Sequence, residues 1–152
     1  MPLVDCVVRE VMTLAPVTVE PTTVLLDAAL AMRASAIRHL PVVENGRLVG
    51  LLTDRDIQRC APSRLLPISE EDYNEVFSGT TVHRVMTREP LSIPPDAPLL
   101  AAIEMMQQSR YGCLPVAEKD QLVGILTRSD LVDALQRVIS GKNLPRLGQT
   151  GE

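Results

Sequence analysis

The feature that most constrains how this chain can fold is an internal duplication. Residues 8–60 align with residues 82–134 at a constant shift of 74 positions without a gap, and 21 of the 53 aligned pairs are identical. The identities include Val11-Met12-Thr13, repeated at 85–87, and Leu40-Pro41-Val42, repeated at 114–116. Such self-similarity indicates a repeat architecture. A copy of about 55 residues buries too little surface to be stable alone. We therefore expect the two copies to pack on each other about a pseudo-two-fold axis.

Both copies predict the same order of elements, β-α-β-β-α, which places the chain in the mixed α/β (α+β) class. In the first copy a short strand at residues 16–19 precedes an amphipathic helix at Leu25–Ala34. A hairpin follows, with strands Leu40–Val43 and Leu48–Thr53 around Asn45-Gly46, a pair that suits a type I′ turn. A second helix starts at Asp54. The matching elements of the second copy are a strand at 90–93, a helix at Leu99–Gln108, a hairpin with the poorer turn Lys119-Asp120, and a helix from Arg128.

The repeat also predicts the domain organisation. We assign residues 1–68 to the first repeat with its N-terminal lead, 69–81 to a linker helix, 82–139 to the second repeat and 140–152 to a flexible tail. Ser69 precedes an acidic run and is placed to cap a helical turn over Tyr73–Phe77.

Composition excludes several classes of function. The net charge is −4 and aromatic residues are 2% of the chain, so neither a basic patch nor stacking platforms point to nucleic acid. Three widely spaced cysteines and two histidines argue against a disulfide framework and a zinc site. No apolar run reaches the roughly 18 residues of a membrane helix. We expect a cytoplasmic protein without a membrane partner, a metal or a resident cofactor.

One motif carries chemistry in both copies. Gly50-Leu-Leu-Thr53-Asp-Arg-Asp56 and Gly124-Ile-Leu-Thr127-Arg-Ser-Asp130 both read G-h-h-T-x-x-D, where h is apolar. One interpretation is a capping box, in which Thr and Asp satisfy the amides at a helix start. The other is a nucleotide cradle, in which the Thr hydroxyl and helix start meet phosphate and the Asp accepts both hydroxyls of a ribose. A cap leaves the glycines unexplained, since a glycine at a strand end allows something to approach the backbone closely.

The order and duplication of V-M-T, L-P-V and G-h-h-T-x-x-D resemble tandem cystathionine-β-synthase (CBS) domains, also called a Bateman module. The resemblance covers about residues 8–135. It implies a regulatory module, without catalytic residues, that binds AMP, ADP, ATP or S-adenosylmethionine in clefts between the repeats. In that family the motif Asp holds the ribose diol and the motif Thr touches phosphate.

Carried onto this chain, the resemblance implies two clefts. One uses Thr53 and Asp56 with residues of the second repeat, namely Pro90, Leu91, Tyr111 and Gly112. The other uses Thr127 and Asp130 with Pro16, Val17, Ile37 and Arg38. His39 and Arg128 are further candidates for phosphate contacts, and Arg110 could add charge beside Gly112. We expect the Asp130 cleft to bind slightly better, because Arg38 and Arg128 can approach its phosphate end.

Simpler interpretations stand beside these. Arg55 and Arg128 follow the motif threonines closely and can be solvated first-turn side chains instead of phosphate clamps. His39 and Cys113 occupy equivalent positions, and a Cys–His pair suggests a nucleophile or metal ligands, but no third group repeats with them.

Three functional hypotheses follow. The leading one is a stand-alone nucleotide sensor that forms a homodimer through Leu131, Leu135 and Ile139 and signals to a target protein. The alternative is a ligand-free homodimeric interaction scaffold whose motifs are only caps. An enzyme is the third, and only the His39–Cys113 idea supports it.

Overall fold

The computed structural model describes residues 3–63, 65, 67–109 and 111–144. Two short 3₁₀ turns, Leu3–Asp5 and Val8–Glu10, precede the regular elements. In chain order these are β1 (Thr13–Leu14), α1 (Leu25–Ala34), β2 (His39–Glu44), β3 (Arg47–Thr53), α2 (Asp54–Cys60), α3 (Glu70–Gly79), α4 (Val82–Val85), β4 (Thr87–Arg88), α5 (Leu99–Ser109), β5 (Cys113–Glu118), β6 (Gln121–Thr127) and α6 (Arg128–Ile139). Among the described residues, no helix is long and apolar enough to cross a membrane.

The chain forms two compact units that cut across the order of the sequence. The central unit is Val17–Pro90, and the terminal unit combines Met1–Pro16 with Leu91–Glu152. The segment that begins each copy of the repeat therefore belongs with the remainder of the other copy.

Backbone hydrogen bonds explain this exchange of segments. In the terminal unit the Val8 amide donates to the Ala97 carbonyl at 2.9 Å. The equivalent bond of the central unit joins the Val82 amide to the Thr23 carbonyl at 2.7 Å. Val8 and Val82 are both fully buried in the core of the unit they join. Each unit thus obtains from the distant segment an apolar anchor that its own copy does not supply.

The central unit is an antiparallel sheet of β4, β3 and β2 with α1 packed on the shared core. The hairpin register pairs Leu40 with Leu52 and Val42 with Gly50, and a bulge follows at Val42/Val43. The predicted helix Leu25–Ala34 is confirmed with the same bounds. Its core stripe of Leu25, Ala28 and Met32 is buried, while Ala29 is half-buried.

The terminal unit repeats this plan with β1, β6 and β5 in an antiparallel sheet and with α5 on the core. The bulge recurs at Val116/Ala117. On α5 the residues Leu99, Ala102 and Met106 are buried, at positions equivalent to the core stripe of α1. The mixed α+β class and the hairpin predicted for each copy are confirmed.

The strands predicted at residues 16–19 and 90–93 are wrong. Only isolated bridges occur there, Val19 with Val42 and Ile93 with Val116. The short strands lie earlier, at β1 and β4. Ala15 and Glu89, which follow them, have φ of +47°, a conformation that ends an extended strand. Pro16 and Pro90 come next and have no amide to donate.

The two hairpin turns have the same conformation despite their different sequences. Asn45 and Gly46 have φ of +52° and +78°, as a type I′ turn requires. Lys119 and Asp120 have φ of +49° and +65°, so the less favourable pair is held in the same conformation. We infer that the strand pairing on either side imposes the turn on the second copy.

The linker contains the predicted helix. It spans Glu70–Gly79, and the Ser69 side chain accepts a hydrogen bond from the Asp72 amide at 3.1 Å. In the predicted tail, residues 140–144 follow α6, and residues 145–152 lie outside the described residues.

Candidate functional site

The T-x-x-D motif of the central unit lies where β3 ends and α2 begins. The Thr53 hydroxyl accepts a hydrogen bond from the Asp56 amide at 3.2 Å, and Asp56 Oδ2 accepts one from the Thr53 amide at 2.9 Å. This is a complete capping box, so the structural interpretation of the motif is confirmed here. Both side chains are half-buried. A cap of this kind leaves part of the carboxylate facing outward.

The terminal unit has the same arrangement at the start of α6, with further bonds. Thr127 accepts from the Asp130 amide at 3.3 Å, and Asp130 Oδ2 accepts from the Thr127 amide at 2.8 Å. The Thr127 hydroxyl also lies 3.0 Å from Oδ2. Asp130 Oδ1 accepts a bond from the Thr13 hydroxyl at 2.8 Å. The two motifs are therefore alike as caps and different in the hydrogen bonds of their carboxylates.

The residue before β2 or β5 lies beside each cap. The Arg38 carbonyl accepts from the Asp54 amide at 3.0 Å, and the Gly112 carbonyl accepts from the Arg128 amide at 3.1 Å. His39 is paired with Thr53, and Cys113 with Thr127. Within each unit, the residues that precede L-P-V are thus neighbours of a T-x-x-D helix start, although about 15 residues separate them in sequence.

The motif glycines have a structural reason that differs from the one predicted. Gly50 and Gly124 lie in the middle of β3 and β6, not at strand ends. A Cβ on Gly124 would lie 2.8 Å from both Met12 Sδ and the Thr13 carbonyl oxygen. A Cβ on Gly50 would meet Met86 in the same way and lie 3.0 Å from the Thr87 carbonyl oxygen. The close approach that the glycines allow is that of the V-M-T segment within each unit.

The predicted binding residues divide between the two units, and none of them is fully buried. The terminal unit contains Thr127 and Asp130 with Pro16, Leu91, Tyr111, Gly112 and Arg128. The central unit contains Thr53 and Asp56 with Val17, Ile37, Arg38, His39 and Pro90. Arg38, Arg55 and Arg128 are exposed, which fits both solvated side chains and phosphate contacts. The grouping of these residues into two clefts stays a prediction, and Arg110 lies outside the described residues.

Thr13 is the site residue that reasoning from the sequence missed. It belongs to V-M-T, and the identity of Thr13 with Thr87 was the available signal. Its contact with Asp130 joins residues 117 positions apart. Two residues on, Ala15 has a positive φ, as does the equivalent Glu89. Strained non-glycine residues of this kind cluster at functional sites.

Cys113 has the wrong chemistry for a nucleophile. Its side chain is buried, and burial raises the pKa of its thiol to about 12 from 9.0. The reactive species is the thiolate, so this group stays protonated at neutral pH. The structure therefore contradicts the thiolate role considered for a His39–Cys113 pair.

A cavity of about 640 Å³ lies in the central unit, and none of the predicted binding residues that the structure describes is among its lining residues. Thr22, His83 and Arg88 are among its lining residues, and Arg88 contacts His83 Nε2 at 3.1 Å. The positions equivalent to His83 and Thr22 in the terminal unit are Arg9 and Asp96, which form an ion pair at 3.0 Å. Thr22 has no charge, so the central unit cannot form this ion pair at the equivalent positions.

Comparisons with known proteins agree with this architecture. The CBS domain profile matches residues 8–62 and 82–137. A CBS domain-containing protein of Dictyostelium discoideum is 36% identical over 134 residues, which are 87% of this chain and 92% of that protein. The chain is also 33% identical to the homoserine O-acetyltransferase of Methanococcoides burtonii over 126 residues, 82% of this chain but only 23% of that enzyme.

Two solved structures have the same fold. The crystal structure of CBSX2 from Arabidopsis thaliana in complex with AMP matches with a TM-score of 0.73 and 26% identity, over 88% of this chain and 98% of that one. The CBS domain pair of protein MJ0100, in complex with 5′-methylthioadenosine and S-adenosylmethionine, matches with a TM-score of 0.69 and 25% identity, over 91% and 98%. This chain belongs to the CBS domain family and carries two CBS domains in tandem.

Proposed function

We propose that this chain is a regulatory module that binds adenosine-containing ligands and has no catalytic role of its own. The observation that carries the proposal is the pair of half-buried carboxylates, Asp56 and Asp130, each held at a helix start with its Thr. A carboxylate in such a place can accept ribose hydroxyls, and the adjacent helix start and Thr hydroxyl favour phosphate.

Ligands in the related structures support an adenosine-containing class. AMP, 5′-methylthioadenosine and S-adenosylmethionine share a ribosyl adenine and differ in what the 5′ carbon bears. We therefore propose AMP, ADP, ATP or S-adenosylmethionine as ligands. The exposed Arg38 and Arg128, beside the two caps, favour ligands with phosphate. The output of binding would pass to a target protein.

A panel of ligands tests this proposal by thermal shift. A ligand at 100 times its dissociation constant stabilises the fold by about 2.7 kcal/mol, which for about 150 residues raises Tm by roughly 5–10 °C. We expect a shift with at least one of AMP, ADP, ATP and S-adenosylmethionine, and none with inorganic phosphate at the same concentration. The absence of a shift with all four would favour the alternative function.

The alternative is an interaction scaffold in which the T-x-x-D motifs act only as caps. The complete capping boxes at both helix starts favour it. In both functions we propose a homodimer formed through α6. Of the residues predicted for this interface, Leu135 and Ile139 are 50% and 76% exposed, whereas Leu131 packs against the core of the terminal unit. Val132 on the same helix is 63% exposed. An apolar helix face of this kind is typical of a surface that another protein covers.

A further inference from the structure

The two motif carboxylates differ in how many hydrogen bonds they can still accept. An ionised carboxylate offers about four acceptor positions, two on each oxygen. Among the described residues, the Asp56 carboxylate accepts one hydrogen bond, which the backbone amide of Thr53 donates to Oδ2. Asp130 accepts three, from the Thr127 amide and hydroxyl to Oδ2 and from the Thr13 hydroxyl to Oδ1. About three positions stay open on Asp56 and about one on Asp130.

A ribose diol has two hydroxyls to donate, so this difference bears on binding. Asp56 can accept both without losing a bond that the folded protein already has. Asp130 cannot, because Thr13 holds an acceptor position on Oδ1, the oxygen that is not part of the cap. The equivalent Thr87 hydroxyl makes no such bond to Asp56 within the part of the chain that the structure describes.

We infer that Thr13 is a specificity-determining residue that competes with the ribose for Asp130, which makes Asp56 the stronger of the two ribose sites. This inference rests on the proposed function, and it reverses the order of affinity that the sequence predicts from Arg38 and Arg128 at an Asp130 cleft. A diol that binds at Asp130 must displace the Thr13 hydroxyl, which is the donor on the β1 side of this carboxylate. A ligand with a single ribose hydroxyl avoids that exchange.

The test isolates each site and then removes its threonine hydroxyl. Asp56→Asn leaves the Asp130 site intact, and Asp130→Asn leaves the Asp56 site intact. The Asn side-chain carbonyl can still accept the capping bond, but its amide cannot accept a ribose hydroxyl. Thr13→Val is made with Asp56→Asn, and the matched control Thr87→Val is made with Asp130→Asn. Each full-length protein is titrated with AMP and with 2′-deoxy-AMP by calorimetry, and circular dichroism checks folding.

We expect Thr13→Val to raise the affinity of the Asp130 site for AMP by about three- to tenfold, because a competing charge-assisted bond is removed. The preference of this site for AMP over 2′-deoxy-AMP should rise as well. Thr87→Val should leave the Asp56 site unchanged, and that site should bind AMP more tightly than the Asp130 site does.

Other outcomes separate the role of Thr13 from the proposed binding of adenosine-containing ligands. If the wild type binds AMP but Thr13→Val weakens binding or leaves it unchanged, the role of Thr13 is wrong and the proposed function stands. An unfolded Thr13→Val protein would be replaced by Thr13→Ala, which also lacks the hydroxyl and should raise the AMP affinity of the Asp130 site in the same way. If no protein of the set, Thr13→Val included, binds either nucleotide, this inference is overturned, and the proposed function is overturned with it only when ADP, ATP and S-adenosylmethionine give no thermal shift either.

Discussion

The backbone carbonyl of Arg38 accepts a hydrogen bond from the amide of Asp54 at 3.0 Å, which fixes the start of β2 beside the start of α2. The guanidinium of Arg38 is exposed and therefore able to meet a ligand. The same backbone bond in the terminal unit joins Gly112 to Arg128, so that unit has no cation at the position equivalent to Arg38.

Arg38→Gln should lower the affinity for AMP by about ten- to a hundredfold, since a charge-assisted bond to phosphate contributes about 1.5–3 kcal/mol. Affinity for adenosine, which has no phosphate, should not change. Calorimetry measures both, with Arg33→Gln on the exposed surface of α1 as the matched control. An equal loss for AMP and adenosine would mean that Arg38 does not contact phosphate.

The close packing at Gly50 in β3 and Gly124 in β6 leads to a prediction about the free energy of unfolding. Gly124→Ala should destabilise the fold by about 1–3 kcal/mol, because its Cβ would lie 2.8 Å from a backbone oxygen that cannot rotate away. Gly50→Ala should behave alike. Gly79→Ala is the control, since a Cβ there has open space. Urea unfolding provides the free energies, and an unchanged value for Gly124→Ala would contradict the packing of Thr13 on β6.

The buried thiol of Cys113 predicts how stability depends on pH. Its pKa is about 12 in the folded protein against 9.0 as an exposed thiol, so the folded state keeps a proton that the unfolded state loses between these values. This contribution is fully present below pH 9 and is lost as the pH rises toward 12, at up to about 1.4 kcal/mol per pH unit.

Urea unfolding at about pH 8 and about pH 10 checks this, and Cys113→Ala should lose less free energy of unfolding over that interval than the wild type does. The half-buried Cys60 provides a control as Cys60→Ala. An equal loss in the wild type and in Cys113→Ala would show that the thiol is not the group responsible.

The proposed dimer can be tested without disturbing the core. Leu135 and Ile139 are exposed within the chain, so Leu135→Glu with Ile139→Glu should leave the fold intact and remove the apolar face of α6. Light scattering should give twice the 16.6 kDa chain mass for the wild type and the single chain mass for the variant. A wild-type monomer at high concentration would contradict the proposal.

The sequence predicted best what the repeat and local patterns determine. The apolar spacing of Leu25, Ala28 and Met32 and the Asn45-Gly46 pair act over a few residues, and the helix and hairpin they predict are present. The exchange of Val8 and Val82 between the copies could not be predicted, because it depends on contacts between residues about 90 and 60 positions apart.

The same limit applies to the candidate site. The T-x-x-D motif predicts both caps, Thr53 with Asp56 and Thr127 with Asp130. Their capping bonds follow from the three-residue spacing of Thr and Asp alone. The bond from Thr13 to Asp130 depends on the exchanged segment and on the register of β1 with β6. The strand predicted at residues 16–19 is wrong for a related reason. Ala15 adopts a positive φ that its side chain does not favour, and this conformation, which the local sequence does not predict, ends the strand before residue 16.

The most direct test of whether Asp56 and Asp130 bind an adenosine-containing ligand is an AMP titration of the double variant Asp56→Asn with Asp130→Asn beside the wild type. Asparagine keeps a capping acceptor but loses the charge and the second acceptor oxygen that a diol needs. We expect calorimetry to detect AMP binding by the wild type and none by the double variant, whose Tm without ligand stays close to that of the wild type. Equal binding by both proteins would contradict the account and leave the two aspartates as helix caps.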